Sequence, residues 1–183
     1  TTEGIDIVMA VDISSSMLAE DLKPNRLIAA KRVATEFISS RHNDNIGLVV
    51  FSAESFTQCP LTINHAELIN LLNGIERGMI EDGTAIGSGL ATAVNRIKDS
   101  KAKSKVIILL TDGSNNRGQI SPSTAGDIAK SFGIRVYTIG VGTRGMAPYP
   151  FQTPYGVQYQ DVEVDIDEES LKEIASTTGG QYF

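Results

Sequence analysis

Four short runs of β-branched and aliphatic residues punctuate this chain: Ile5–Val11, Ile46–Phe51, Lys105–Leu110 and Ile134–Val141. Each is apolar almost without interruption, the character of a strand buried on both faces of a parallel sheet. Helical patterns lie between them. Leu27, Ala30, Ala34 and Phe37 share one face behind Pro24, which fits a first helical turn. Asn64 and Glu67 resemble a capping box ahead of Leu68, Leu71 and Leu72, with Gly74 as the stop. Ile86, Leu90, Ala93, Val94 and Ile97 form the clearest amphipathic stripe. Ser121 and Pro122 open another helix with Ala125, Ile128, Ala129 and Phe132 inward and Gly133 at its end. Asp167 caps a last one carrying Leu171, Ile174 and Ala175, released by Gly179-Gly180. Strands alternating with helices demand crossover connections, so the expected fold is a doubly wound, Rossmann-like α/β domain with helices on both faces of a mainly parallel sheet. Ser55–Cys59 follows Phe51 too closely for a helical crossover and is expected as an antiparallel partner at the sheet edge.

A length of 183 residues suits one domain spanning 1–183, and its abrupt start and stop fit a domain excised from a longer protein. The formal net charge of −6 opposes general nucleic-acid binding, which needs basic clusters to neutralise phosphates. Cys59 stands alone, so no intramolecular disulfide and no thiolate zinc site forms; it reads as a small buried hydrophobe. No apolar run approaches the ~18 residues of a spanning helix. The stretch Thr143–Gln160 breaks the rhythm, with Pro148, Pro150 and Pro154 among Tyr149, Phe151, Tyr155 and Tyr159. It reads either as a β-hairpin turning near Gly156 or as a partner-contacting loop that presents Tyr149, Phe151 and Tyr155.

Open parallel sheets bind ligands beyond the carboxyl ends of their strands. Three segments reach that end with oxygen-bearing side chains: Asp12-Ile13-Ser14-Ser15-Ser16, Asp82-Gly83-Thr84-Ala85-Ile86-Gly87 and Thr111-Asp112-Gly113-Ser114. Together they resemble the metal-ion-dependent adhesion site (MIDAS) of the von Willebrand factor A family. Its Asp-x-Ser-x-Ser, Gly-Thr and Thr-Asp-Gly elements are matched by Asp12, Ser14, Ser16, Thr84 and Asp112. The resemblance covers the whole chain. It implies one hard divalent ion, Mg²⁺ or else Mn²⁺ or Ca²⁺, bonded directly to Ser14, Ser16 and Thr84, with Asp12 and Asp112 holding bound waters. Neutral hydroxyls leave the ion's charge largely unquenched, so an Asp or Glu from a protein partner becomes its natural further ligand. Direct contact from Asp112 would quench that charge, and related domains use such an exchange as a switch.

Met17–Leu27, Asp82–Gly87 and Tyr137–Thr143 further resemble the Bacteroides aerotolerance (Bat) proteins of bacteria. That resemblance implies a domain flanked by membrane helices in the inner membrane and facing the periplasm. It also implies a complex linked to stress tolerance, with other Bat-type proteins and a MoxR-type AAA+ ATPase system as partners.

Other chemistries fit less well. Gly140-Val141-Gly142-Thr143-Arg144-Gly145 matches a dinucleotide-binding glycine pattern, but three prolines follow where a helix must open, so no nucleotide cofactor is expected. Ser14 and Ser16 lack a nucleophile elbow, and His42 and His65, both expected at the surface, are the only bases on offer. A Mg²⁺-dependent phosphotransferase built on Asp12 would want a second Asp where Ser14 stands. The alternating acids Asp161, Glu163, Asp165 and Asp167 read as a strand with one wet face running into a helix start, or as a second cation site with carboxylates ~7 Å apart. The expected function is therefore metal-dependent capture of a carboxylate-bearing protein, without enzymatic activity. The alternative is a scaffold with a vestigial metal site whose contacts run through residues 143–160.

Overall fold

The computed structural model of the chain describes residues 4–76, 83–113 and 120–183. Strands β1 (Asp6–Asp12), β2 (Asn45–Phe51), β3 (Ser55–Thr62), β4 (Lys105–Thr111) and β5 (Ile134–Gly140) form one sheet in the order β3-β2-β1-β4-β5. β1 lies parallel to β2 and β4, and β4 parallel to β5. β3 runs antiparallel to β2 at the edge, as its short connection dictates. Pro60 within it is tolerated because an edge strand leaves one row of backbone donors unpaired.

The pleat sends alternate residues of β1 into two cores. Ile7, Met9 and Val11 pack under α1 (Arg26–Ser40) and α2 (His65–Asn73). Val8 and Ala10 pack under α3 (Ile86–Ile97), α4 (Pro122–Ser131) and α5 (Glu168–Thr178). The α3 stripe is wholly buried, from Ile86 through Leu90, Ala93 and Val94 to Ile97. Each of its Ile, Leu and Val side chains contributes about 1.5–3 kcal/mol when fully buried. Helix boundaries follow local capping chemistry. Asn64 accepts from the Glu67 amide, Ser121 from Thr124 and Asp167 from Ser170, and Gly179 ends α5 in the left-handed conformation.

Two details depart from expectation. Pro24 does not open the first turn of α1: Asn25 is the cap, accepting from the Ile28 amide, and the helix begins at Arg26. Phe132 is not inward but 41% exposed, because α4 ends at Ser131 and its last apolar residue falls beyond the buried face. Near the ammonium of Lys98 it finds a cation–π contact instead.

Of the two arrangements open for residues 143–160, the hairpin forms. β6 (Gly145–Thr153) and β7 (Gly156–Val164) make a separate two-stranded antiparallel ribbon in unbroken register from Gly145↔Val164 to Thr153↔Gly156. A lone two-stranded ribbon is marginal in water. This one is anchored at its base, where Ala147 and Val164 pack on Ala19 with Tyr149 and Val162 beside them. The Glu20 amide also donates to the Pro148 carbonyl at 2.9 Å. The glycine-rich stretch after β5 thus leads into β6 and not into a helix. Alongside β5 runs the Gln181–Phe183 segment, its Phe183 amide donating to the Thr138 carbonyl at 2.8 Å. Among the described residues no helix is long and apolar enough to cross a membrane.

Candidate metal centre

Because β1, β2, β4 and β5 are parallel, their carboxyl ends open at one end of the sheet. β1 ends on Asp12, which is fully buried. Its Oδ1 accepts from the Ser14 amide at 2.8 Å and from the Ser14 hydroxyl at 2.6 Å. Its Oδ2 accepts from the Thr111 hydroxyl at 2.7 Å, across from the end of β4. The chain then turns through a short 3₁₀ segment, Ser15–Leu18. There the Ser16 and Ser14 hydroxyl oxygens lie 3.0 Å apart.

Asp112 follows β4 directly and is equally buried. Its carbonyl accepts from the Asp167 amide, which ties the turn to the cap of α5. The Thr84 turn is pinned to the end of β2: the Ser52 carbonyl accepts from the Ala85 amide at 2.7 Å, and the Ser52 hydroxyl donates to the Gly83 carbonyl at 2.8 Å. The Phe51 carbonyl accepts from Ile13, so β2 holds the Asp12–Ser16 turn and the Thr84 turn side by side. Thr84 is itself buried. Asp82 and Ser114, read with these turns in the sequence, lie outside the described residues.

Two buried carboxylates at one place are electrostatically costly. Burial, and then the facing Asp112 carboxylate, push the Asp12 carboxyl up to about 7, against hydrogen bonds from Ser14 and Thr111 that pull the other way. The oxygen set fits a hard cation. The Ser14 hydroxyl spends its proton on Asp12, which leaves its lone pairs for a ligand. Two oxygens bound to one Mg²⁺ at ~2.0–2.1 Å and at right angles lie about 2.9 Å apart, close to the Ser14–Ser16 separation.

The sequence reading missed Arg26. This residue is 1% exposed at the first position of α1. Its guanidinium grips Asp21 with two bonds, Nε to Oδ1 at 2.7 Å and Nη2 to Oδ2 at 2.8 Å. Nη1 donates to Asp112 Oδ2 at 3.1 Å, and Nη2 reaches the Asp165 carbonyl at 3.4 Å. Asp21 accepts in turn from the amide and hydroxyl of Thr143. Burial raises the Asp21 carboxyl, but the bonds from Arg26 and Thr143 outweigh it and hold the group below the usual carboxylate range. Gly142, at φ +146°, lies against the flat of the guanidinium: a Cβ there would stand 2.7 Å from Cζ. An arginine ten residues after an Asp-x-Ser-x-Ser run carries no signal of its own, since Asp112 and the Asp165 carbonyl reach it from just beyond the ends of β4 and β7.

The ribbon borders the centre across a cleft of about 300 Å³ lined by Ser16, Arg26, Asp112, Tyr149 and Val164. Tyr149 is half-buried there, and its hydroxyl donates to the Ser15 carbonyl at 3.0 Å, inside the candidate metal loop. Phe151, whose ring packs 5.0 Å from that of Tyr149, is 39% exposed and Tyr155 is 91% exposed. Of the three aromatic residues singled out from the sequence, two therefore face solvent and Tyr149 grips the loop. Tyr149→Phe is expected to cost about 1 kcal/mol of stability in urea unfolding, one part-buried hydrogen bond. An unchanged denaturation midpoint would deny that bond any weight.

The acids along β7 do not gather: among the described residues no three His, Cys, Asp or Glu side chains converge. Asp165 pairs instead with Arg144 at the surface. His65 bonds through Nε2 to the Asp44 carbonyl, remote from Ser14. A larger groove of about 490 Å³, floored by Ile7, Val106 and Tyr137, opens on the α1 face toward the amino ends of the strands, away from this chemistry.

This fold and strand-end arrangement define a von Willebrand factor type A domain, and the chain belongs to that family, whose profile matches residues 6–183. Two solved bacterial structures are similar over nearly all of it. An aerotolerance-related membrane protein from Bacteroides fragilis is 32% identical with a TM-score of 0.89, covering 98% of this chain and 90% of its own. The BatB protein from Bacteroides thetaiotaomicron is 32% identical with a TM-score of 0.88, covering 98% and 89%. A protein of Borreliella burgdorferi is 34% identical over 98% of this chain and 53% of its own length. The chain spans about half the length of the curated relatives it matches.

Proposed function

We propose that the chain is a divalent-metal-dependent protein-binding module that captures a partner through an Asp or Glu side chain. The observation that carries this reading is the pair of Ser14 and Ser16 hydroxyls 3.0 Å apart beside two buried carboxylates. Ser14, Ser16 and Thr84 would hold a single Mg²⁺ or a similar ion directly, with Asp12 and Asp112 accepting from its waters. The ion supplies an incompletely neutralised positive centre for an external carboxylate. Asp12 orients the Ser14 hydroxyl, and the pinned β2 end keeps the Thr84 turn in place. On this reading the chain is not an enzyme.

Phe151 and Tyr155, exposed on the ribbon, would add apolar contact to the captured carboxylate. The likeness to aerotolerance-related membrane proteins supports a place for residues 1–183, as a single domain of a longer protein, in a periplasm-facing complex of the bacterial inner membrane. Other Bat-type proteins and a MoxR-type ATPase system are the proposed associates.

Thr84→Ala tests the module without touching the ribbon. Mn²⁺ affinity by calorimetry is expected to fall at least tenfold, and Mn²⁺-dependent binding of a short Asp-containing peptide to vanish. Peptide binding that survives both the substitution and chelator would favour a scaffold with a vestigial site.

A further inference from the structure

We infer that Arg26 is the positioning residue of this centre: its guanidinium keeps Asp112 off the ion and so keeps the ion receptive to an external carboxylate. The inference rests on the metal reading above. Asp112 Oδ2 is committed to Nη1 at 3.1 Å, with both side chains almost fully buried. The guanidinium cannot follow a moving Asp112. Asp21 fixes its other edge with two bonds, Thr143 fixes Asp21, and the backbone at Gly142 lies flat against its face. Drawing the Asp112 carboxylate into direct contact with a neighbouring ion would strip a charge-assisted bond from a cation sealed away from water.

Charge acts in the same direction as geometry. A fixed cation bonded to Asp112 draws on the negative potential that this carboxylate would otherwise spend on the ion. The bound ion then keeps more of its positive charge for an incoming anion. Arg26 thus weakens the hold on the metal and strengthens the hold on the carboxylate. A purely structural arginine would act on both in one direction, so the opposite signs are diagnostic.

Arg26→Gln alone strands two buried carboxylates, so the variant of choice is the double substitution Asp21→Asn with Arg26→Gln. It removes a charge pair together while an amide remains to accept from Thr143. Arg26→Lys serves beside it, keeping the charge but losing the planar fork. The measurements are Mn²⁺ affinity by calorimetry and acetate affinity, read from its displacement of Mn²⁺-bound water in proton relaxation. The double variant is expected to bind Mn²⁺ at least as tightly as wild type and acetate at least tenfold more weakly. Arg26→Lys is expected to fall between the two on acetate with Mn²⁺ binding unchanged. Unchanged acetate affinity in either variant overturns the inference, as does a parallel loss of Mn²⁺ and acetate. Wild type that takes up no Mn²⁺ sinks the metal reading itself, a result distinct from wild type that binds Mn²⁺ and variants that fail to split the two affinities. If the double variant does not fold, Arg26→Lys decides alone by the same criterion.

Discussion

Millimolar Mg²⁺ or Mn²⁺ should raise the melting temperature of the wild-type chain relative to chelator, and Ser14→Ala should abolish that rise. A ligand that binds only the folded state at a hundredfold excess over its dissociation constant adds about 2.7 kcal/mol. For a chain of this length that corresponds to roughly 5–10 °C. Ser14 is the most revealing position because its hydroxyl touches both Asp12 and Ser16. Alanine also removes a buried hydrogen bond and lowers stability by about 1 kcal/mol in chelator. The difference between metal and chelator, measured for each protein by itself, is free of that offset. No rise in wild type would discard the metal reading and turn attention to the ribbon.

Gly142→Ala is expected to be strongly destabilising. The residue has a φ of +146°, a conformation alanine adopts only with strain of about 1–3 kcal/mol. The added Cβ would also stand 2.7–2.9 Å from Cζ, Nη2 and Nε of the buried Arg26. The arginine has no room to retreat without loosening Asp21 and Asp112, and breaking a buried ion pair costs about 3–5 kcal/mol. A loss of at least about 3 kcal/mol, near 10 °C in melting temperature, is the expected outcome of thermal unfolding. Gly133→Ala provides the control, because φ is +70° there and no atom lies within 4 Å of the new Cβ. It reports a left-handed backbone penalty free of any contact and should cost about 1 kcal/mol. Equal losses at the two positions would mean that the guanidinium is not packed against Gly142.

The strands were legible because burial on both faces leaves unbroken aliphatic runs, and the helices because their stripes and caps are local. Ile86 through Ile97 and the Asp167 cap needed no knowledge of the rest of the chain. The candidate site was legible for a different reason: Asp12, Asp112 and Thr84 each stand at the junction of a strand or helix with a turn, where a parallel sheet gathers its functional groups. Arg26 was not. Its role depends on Asp112, 86 residues later, and on the Asp165 carbonyl, 139 residues later, and no periodicity encodes such a meeting. In the sequence Tyr149 reads as an exposed aromatic, whereas the pleat of β6 turns it inward to the Ser15 carbonyl. Pro24 and Phe132 show the ordinary slippage of one or two residues at helix ends, where capping side chains compete with the apolar stripe.

The prolines of β6 have a consequence for solubility. In an antiparallel pair, the amide and carbonyl of a residue point to the same side of its strand. Pro148 turns its carbonyl to Glu20, away from β7, so its missing amide also belongs to the outer edge of β6, and Pro150, two residues on, shares that direction. Among the described residues that edge pairs with no other strand. An unpaired edge on an aromatic ribbon would ordinarily template the same ribbon on a neighbouring molecule and seed aggregates. With two successive outward donors deleted, the β6 edge is a poor template for edge-to-edge pairing. The β6 edge is thereby blunted while Phe151 and Tyr155 stay exposed on the ribbon.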